Sequence, residues 1–182
     1  MNREEYVRVS TVLSSLQDFS HIPVDVLSAK ADLGSSVHAS IEDFLHGEFP
    51  IVTGREIGYF NSFCKWYEVM CPNVIHAERR YWDDLKSLTG QIDVIVKLKG
   101  HDESILVDWK TSAQESSLVW PLQAHLYFYL LKQNFISVAP YFFFIRLHPR
   151  GLLPYVHRYE FSEKTLSYVL HLVDSYWKKK SG

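Results

Sequence analysis

The sequence predicts an α+β (mixed α/β) fold, with one central sheet flanked by helices. Three observations carry that prediction. Residues 10–70 hold apolar residues at helical spacing, residues 73–110 switch to alternation and short apolar runs, and residues 118–180 return to a helix, two strands and a closing helix. No repeat, low-complexity tract or Ser/Gly-rich linker divides the chain. Residues 1–182 are therefore expected to form a single domain, mainly helical over 1–72, with the sheet and the site in 73–182.

The elements follow in order. "RVSTVLSSLQDF" opens as a short helix with Ser10 or Thr11 as its cap. A longer helix begins at Pro23, buries Val37, Ile41, Phe44 and Leu45 on one face, and stops at Gly47. Thr53 is placed to cap a third helix, which ends before Pro72. "VIHAERRYW" then reads as a strand. In "TGQIDVIVKLK", Ile92, Val94, Val96 and Leu98 alternate with Gln91, Asp93, Ile95 and Lys97. "GHDES" has turn chemistry, so this strand and "ILVDWKT" form an antiparallel hairpin. "LVWPLQAHLYFYLLKQ" is helical with Pro121 in its first turn, and "APYFFFIRL" and "LLPYVHRYEF" are paired strands. Ser162 caps the last helix, whose Lys178, Lys179 and Lys180 suit a helix C-terminus.

Composition narrows the function classes. The chain is 47% hydrophobic and 22% charged, with net charge −2. Such a balance excludes a disordered or generally polycationic protein, so nucleic-acid binding would depend on a local patch or a bound cation. No apolar run is long enough to span a bilayer, and "MNREEYVRVS" has no apolar signal core. The expected location is cytoplasmic or nucleoid-associated rather than secreted, with no membrane partner. The two cysteines, Cys64 and Cys71, have no metal-type spacing.

The chemistry concentrates in "ILVDWKTS". Ile105, Leu106 and Val107 belong in a sheet interior, yet Asp108 and Lys110 follow on one face, with Val107 and Trp109 on the other. A symmetric hairpin centred in "GHDES" brings Asp93 beside Asp108. Two adjacent buried carboxylates repel unless a cation compensates them, and hard oxygen ligands suit Mg²⁺ or Mn²⁺. The alternative for Asp108 and Lys110 is a solvated ion pair at a strand edge. Gln123 and Tyr127 lie one helical turn apart and can face the lysine or a nucleic-acid backbone, or be surface and core residues. His38 can face the same site or pair with Glu42 on its own helix.

Taken together, Gly34 with His38, Gly90 with Asp93, Asp108-Trp109-Lys110-Thr111, and Gln123 with Tyr127 resemble the ordered motifs of the PD-(D/E)XK nuclease superfamily, specifically its RecB-like exonuclease branch. The resemblance spans about residues 34–127 and implies a restriction-endonuclease-like core. It implies Asp93, Asp108 and Lys110 as catalytic residues. His38, Asp93, Asp108 and the backbone carbonyl of Trp109 become ligands to one or two Mg²⁺ or Mn²⁺ ions. Gln123 and Tyr127 become auxiliary residues near DNA, and Glu78 an acid near the site. Asp108 stands where many members have Glu, which the branch accepts. Two cysteines fall short of the four that some relatives use for an iron–sulfur cluster, and no "GxxxxGK[ST]" helicase loop is present.

The implied activity is metal-dependent hydrolysis of DNA, most simply by an exonuclease in repair, recombination or mobile-element processing, with a repair or recombination protein as a possible partner. An endonuclease, restriction-like or structure-specific, would use the same residues. A nuclease-fold module that binds nucleic acid without cutting it is the alternative of another class, and a plain interaction domain would leave the ordered motifs as coincidence. Arg55, Lys65, Arg79, Arg80 and Lys86 are candidate phosphate contacts and otherwise ordinary surface charges.

Overall fold

A computed structural model describes residues 6–182, so the first five residues of the N-terminal segment lie outside it. The elements are β1 (Val7–Arg8), α1 (Val9–Ser14), α2 (Val24–Leu45), α3 (Glu56–Met70), β2 (Asn73–Asp83), β3 (Leu88–Lys97), β4 (Ile105–Lys110), α4 (Val119–Gln133), β5 (Tyr141–Arg146), β6 (Tyr155–Glu160) and α5 (Glu163–Ser181).

Among the described residues the strands form one mixed six-stranded sheet. β2 and β3 make a long antiparallel hairpin, from Asn73 opposite Lys97 to Asp83 opposite Leu88. β4 runs antiparallel to β3, β5 parallel to β4, and β6 antiparallel to β5. β1 and β4 share the edge of β3 that β2 leaves open: β1 pairs with Leu88 and Thr89, β4 with Val94 to Val96. Between those two partners lie Gly90 to Asp93. That interruption in the sheet is where the functional cleft forms.

Helices cover both faces. α1, α4 and α5 enclose a cluster that includes Val9, Leu88, Ile92, Leu106, Leu126, Leu130, Phe142, Phe144 and Val173. α2 and α3 cover the other face, around Val37, Ile41, Phe63, Trp66, Val107, Trp109 and Ile145. Phe63 and Trp109 are at most 1% exposed, and burial of a large apolar side chain contributes about 1.5–3 kcal/mol. Trp109 meets Phe63 and Trp66 edge-on at centroid distances of 5.2 and 5.0 Å. These contacts anchor β4 to α3 and fix the backbone that carries Asp108 and Lys110.

Local signals explain most boundaries. α2 ends as expected around Gly47, whose φ of 82° is in the left-handed region. Gly47 N–H donates to Phe44 and Glu48 N–H to Asp43, the paired bonds of a Schellman ending. The Ser162 hydroxyl caps α5 by accepting from Thr165 N–H. Two expected caps are corrected. α1 is preceded by Arg8, placing Ser10 and Thr11 inside the helix, because Val7 and Arg8 are drawn into the sheet as β1. α3 starts after Arg55, and Thr53 contributes its backbone carbonyl to Glu56 N–H rather than its hydroxyl. Alternation along β3 is corrected too. Ile92 packs in the α4 cluster while Val94, Val96 and Leu98 pack against α2 and α3. The reversal falls at Asp93, opposite the stretch of β2 where Glu78 takes a φ of 45°.

Gly90 has a packing role. A Cβ there would stand 2.8 Å from Tyr127 Cε1, 2.9 Å from Leu130 Cδ1 and 3.1 Å from Val9 Cγ2. Two helices therefore sit on bare backbone at the start of the cleft. Gly90→Ala is expected to destabilise the protein by about 1–3 kcal/mol, the usual cost of overpacking. Chemical denaturation checks it, and an unchanged midpoint would contradict it.

Candidate active site

A cleft of about 750 Å³ opens at the interruption beside β3. Its walls come from α2 (Gly34, His38, Glu42), β2 (Glu78), β3 (Gln91, Asp93), β4 (Asp108, Lys110) and α4 (Gln123, Tyr127). All the side chains expected at the site thus line one cavity, and the Trp109 backbone meets two of them, His38 and Asp93. Gly34 lets α2 approach β4: a Cβ there would lie 3.3 Å from Thr111 Oγ1.

The β3–β4 ladder is paired as far as Val94 opposite Val107. At the next position it opens, and Trp109 N–H donates to Asp93 Oδ2 at 2.7 Å instead of to a backbone carbonyl. Asp93 and Asp108 are 6% and 1% exposed. Lys110 is ion-paired with Asp108 Oδ1 and donates to Gln123 Oε1 at 3.0 Å. Gln123 Nε2 donates to Asp108 Oδ2 at 3.2 Å and to the Tyr127 hydroxyl at 3.0 Å. The amide has only one possible orientation, because an ammonium can only donate and a carboxylate only accept. α4 thereby locks the acid and the lysine of β4 in place.

His38 faces the cleft rather than Glu42. Its Nε2 lies 3.0 Å from Trp109 O, and its Nδ1 lies 3.4 Å from Asp93 Oδ2 and 3.7 Å from Glu78 Oε1. Burial disfavours a charge on His38, but the Asp93 carboxylate, with help from Glu78 and Asp108, raises its pKa well above the usual value. Burial also pushes Asp93 upward. The His38 and Lys110 charges and the Trp109 N–H outweigh it and hold Asp93 below the ordinary range. Asp108 behaves oppositely. Burial, then repulsion from Asp93, pushes it up to about 7 against the pull of Lys110. Adjacent acids are driven apart in just this way when no cation compensates them.

The candidate ligand side chains are not equally placed. The ligand atoms that lie within 4.8 Å of one another belong to His38, Glu78 and Asp93. Asp108 is instead turned into Lys110 and Gln123. There the Lys110 ammonium partly offsets the repulsion between Asp108 and Asp93. Glu78 enters the group through its backbone. The left-handed φ of 45° is unusual for a strand residue without a glycine's freedom. Its side chain is 6% exposed, and Oε1 has no hydrogen-bond partner among the described residues.

These residues fit a divalent cation. Imidazole nitrogen and carboxylate oxygens are ordinary ligands for Mn²⁺ or Mg²⁺. The buried Glu78 Oε1 lacks a hydrogen-bond donor among the described residues, a condition that a nearby cation would relieve. With Nε2–H donated to Trp109 O, neutral His38 would direct its Nδ1 lone pair toward Asp93 and Glu78.

Glu78 gives a pH-dependent prediction. Burial raises its pKa above the usual 4.5. A raised carboxyl pKa stabilises the fold at low pH, and that contribution is lost as pH rises through the folded-state value. Glu78→Gln removes the buried charge while keeping an oxygen for Gln91. Without metal, it is expected to melt above wild type at pH 8, with the difference shrinking toward pH 4.5. Thermal scans across that range check the sign, and equal or lower melting at pH 8 contradicts it.

Sequence reasoning missed Gln91. Its Nε2 donates to Glu78 Oε2 at 2.9 Å, and its Oε1 accepts from Arg80 at 2.7 Å. The available signal was its place in the hairpin, directly opposite Arg80. The basic residues diverge: Arg80 is occupied by Gln91, and Lys86 pairs with Asp174 at 2.7 Å outside the cleft lining. Arg55, Lys65 and Arg79 are exposed.

Comparisons with known proteins fit this architecture. No curated protein matches the sequence significantly. Among solved structures, LHK-Exo in complex with dAMP aligns over 97% of this chain and 88% of its own, with TM-score 0.54 and 11% identity. A second structure of that protein, an alkaline exonuclease from Laribacter hongkongensis, aligns over the same shares with TM-score 0.53 and 11% identity. SSO0001 aligns over 96% of this chain and 76% of its own, with TM-score 0.48 and 15% identity. At 11% identity the likeness to LHK-Exo is one of fold. The family model for the PD-(D/E)XK nuclease superfamily matches residues 54–151, which include Glu78, Asp93, Asp108, Lys110, Gln123 and Tyr127, and the chain belongs to that superfamily.

Proposed function

We propose that the chain is a Mg²⁺- or Mn²⁺-dependent DNA exonuclease of the RecB-like branch, with Asp93, Asp108 and Lys110 as its catalytic residues. The observation that carries the reading is the convergence of these three with His38 and Glu78 in one cleft, where the buried Glu78 Oε1 lacks a donor among the described residues. His38, Asp93, Asp108, Glu78 and the Trp109 carbonyl would hold the cation. When bound, it supplies positive charge that polarises the phosphodiester and promotes ionisation of water near neutral pH.

The protein's own groups do the rest. Asp93 and Asp108 provide the negative charge that holds the cation. Lys110 has three donors, of which Asp108 and Gln123 engage two, leaving one for a phosphate oxygen or the attacking water. Its ammonium also lies 5.1 Å from the Phe144 ring centroid, which restricts where it can move. Gln123 and Tyr127 orient the Asp108–Lys110 pair. A nuclease takes a nucleic acid as substrate. Support for DNA and for attack at an end comes from the ordered RecB-like motifs. It also comes from the fold likeness to a protein named an alkaline exonuclease and crystallised with dAMP.

The test is a gel assay on end-labelled linear duplex, single-stranded and closed circular DNA. The proposal expects loss of linear DNA from its ends, inhibition by EDTA, recovery with Mg²⁺ or Mn²⁺, and an intact circle. Cutting of the circle would assign an endonuclease. Metal-dependent binding with no cutting of any substrate would assign a non-catalytic module.

A further inference from the structure

Gln91 lies outside the catalytic set, yet it is built into the cleft wall. It sits opposite Arg80 in the β2–β3 hairpin, and its amide bridges two charged side chains of β2. Gln91 Oε1 accepts from Arg80 Nη2 at 2.7 Å, and Gln91 Nε2 donates to Glu78 Oε2 at 2.9 Å. The orientation is forced, since guanidinium offers only donors and an ionised carboxylate only acceptors. The bridge ties down one oxygen of Glu78. The other, Oε1, is buried without a hydrogen-bond partner among the described residues and lies 3.7 Å from His38 Nδ1. The left-handed backbone at Glu78 aims the same side chain inward. Backbone geometry and amide tether thus act together on one carboxylate.

We propose that Gln91, itself held by Arg80, is the positioning residue that keeps Glu78 in a metal-ligating pose. This rests on the reading that the cleft binds a divalent cation. Without the tether, Glu78 regains rotamer freedom, and holding it beside the cation costs conformational entropy. Residues that orient a ligand from behind typically change metal affinity 10–100-fold when replaced.

The experiment is Mn²⁺ titration calorimetry on the metal-free full chain, for wild type, Gln91→Met, Glu78→Gln, the double variant and Asp93→Ala. Gln91→Met retains much of the side-chain volume but removes the amide. It is expected to weaken Mn²⁺ binding by about 10–100-fold with little change in metal-free melting temperature. The double variant should bind no more weakly than Glu78→Gln alone, because Gln91 acts through Glu78. A merely structural role would lower the melting temperature and leave the affinity of the folded fraction unchanged. Wild-type affinity in Gln91→Met, or losses that add in the double variant, would overturn the proposal. Arg80→Met supplies the same cycle should Gln91→Met not fold. A smaller loss, again absent in the Glu78→Gln background, supports the tether, and no loss overturns it. Asp93→Ala separates the two claims: wild-type Mn²⁺ binding in that variant rejects the metal reading itself, whereas loss there with unaltered Gln91→Met rejects only the tether.

Discussion

Asp93→Ala and Asp108→Ala are each expected to reduce DNA cleavage by ~10³-fold or more while leaving a folded protein. Both acids are almost fully buried, and they flank the position where the β3–β4 ladder opens. Neither supports the core by apolar packing. Removing one relieves repulsion with the other, so much of the lost hydrogen bonding is offset. For Asp108→Ala, Lys110 keeps its bond to Gln123. For Asp93→Ala, Trp109 N–H loses its acceptor, so a modest drop in melting temperature is expected there. Single-turnover cleavage and thermal melting, measured on the same preparations, check both halves. A folded Asp108→Ala protein with near wild-type cleavage would remove this carboxylate from the chemistry.

Lys110→Met should slow the chemical step by ~10²-fold or more, the scale for losing one charge-stabilising or proton-handling group. Methionine keeps much of the stem's volume and its contact with Phe144, so the substitution removes charge rather than packing. Metal binding should survive, since His38, Glu78, Asp93 and Asp108 remain, and loss of a neighbouring cation favours it. The expected signature is DNA binding in the presence of metal with little turnover. Cleavage by Lys110→Met near the wild-type rate, under single-turnover conditions, would reduce Lys110 to an ion-pair partner for Asp108.

The architecture was legible because apolar periodicity changes where the structure changes. β3, β4 and β5 are too apolar to be exposed, and α2 and α5 carry clear faces and stop or start signals at Gly47 and Ser162. The hairpin register was readable from its turn, which put Asp93 beside Asp108. Three features were not readable. β1 is a pair of residues whose strand character comes from docking on Leu88 and Thr89, a tertiary effect. The caps at Ser10, Thr11 and Thr53 failed because hydroxyl residues satisfy helix ends only when the chain enters at the right angle. The inward turn of Glu78 depends on a left-handed backbone that its residue type does not announce. Gln91 was hidden for a related reason: its importance comes from facing Arg80 across the sheet and Glu78 along it.

The central claim is that this cleft holds the divalent cation used for phosphodiester hydrolysis. Anomalous diffraction from crystals of the active protein grown with Mn²⁺ tests it most directly. The account predicts a manganese peak in the cleft, about 2 Å from an Asp93 carboxylate oxygen and within ligand distance of His38 or Glu78. Manganese bound only elsewhere, or a cleft empty of metal in a protein that cleaves DNA with Mn²⁺, would contradict it.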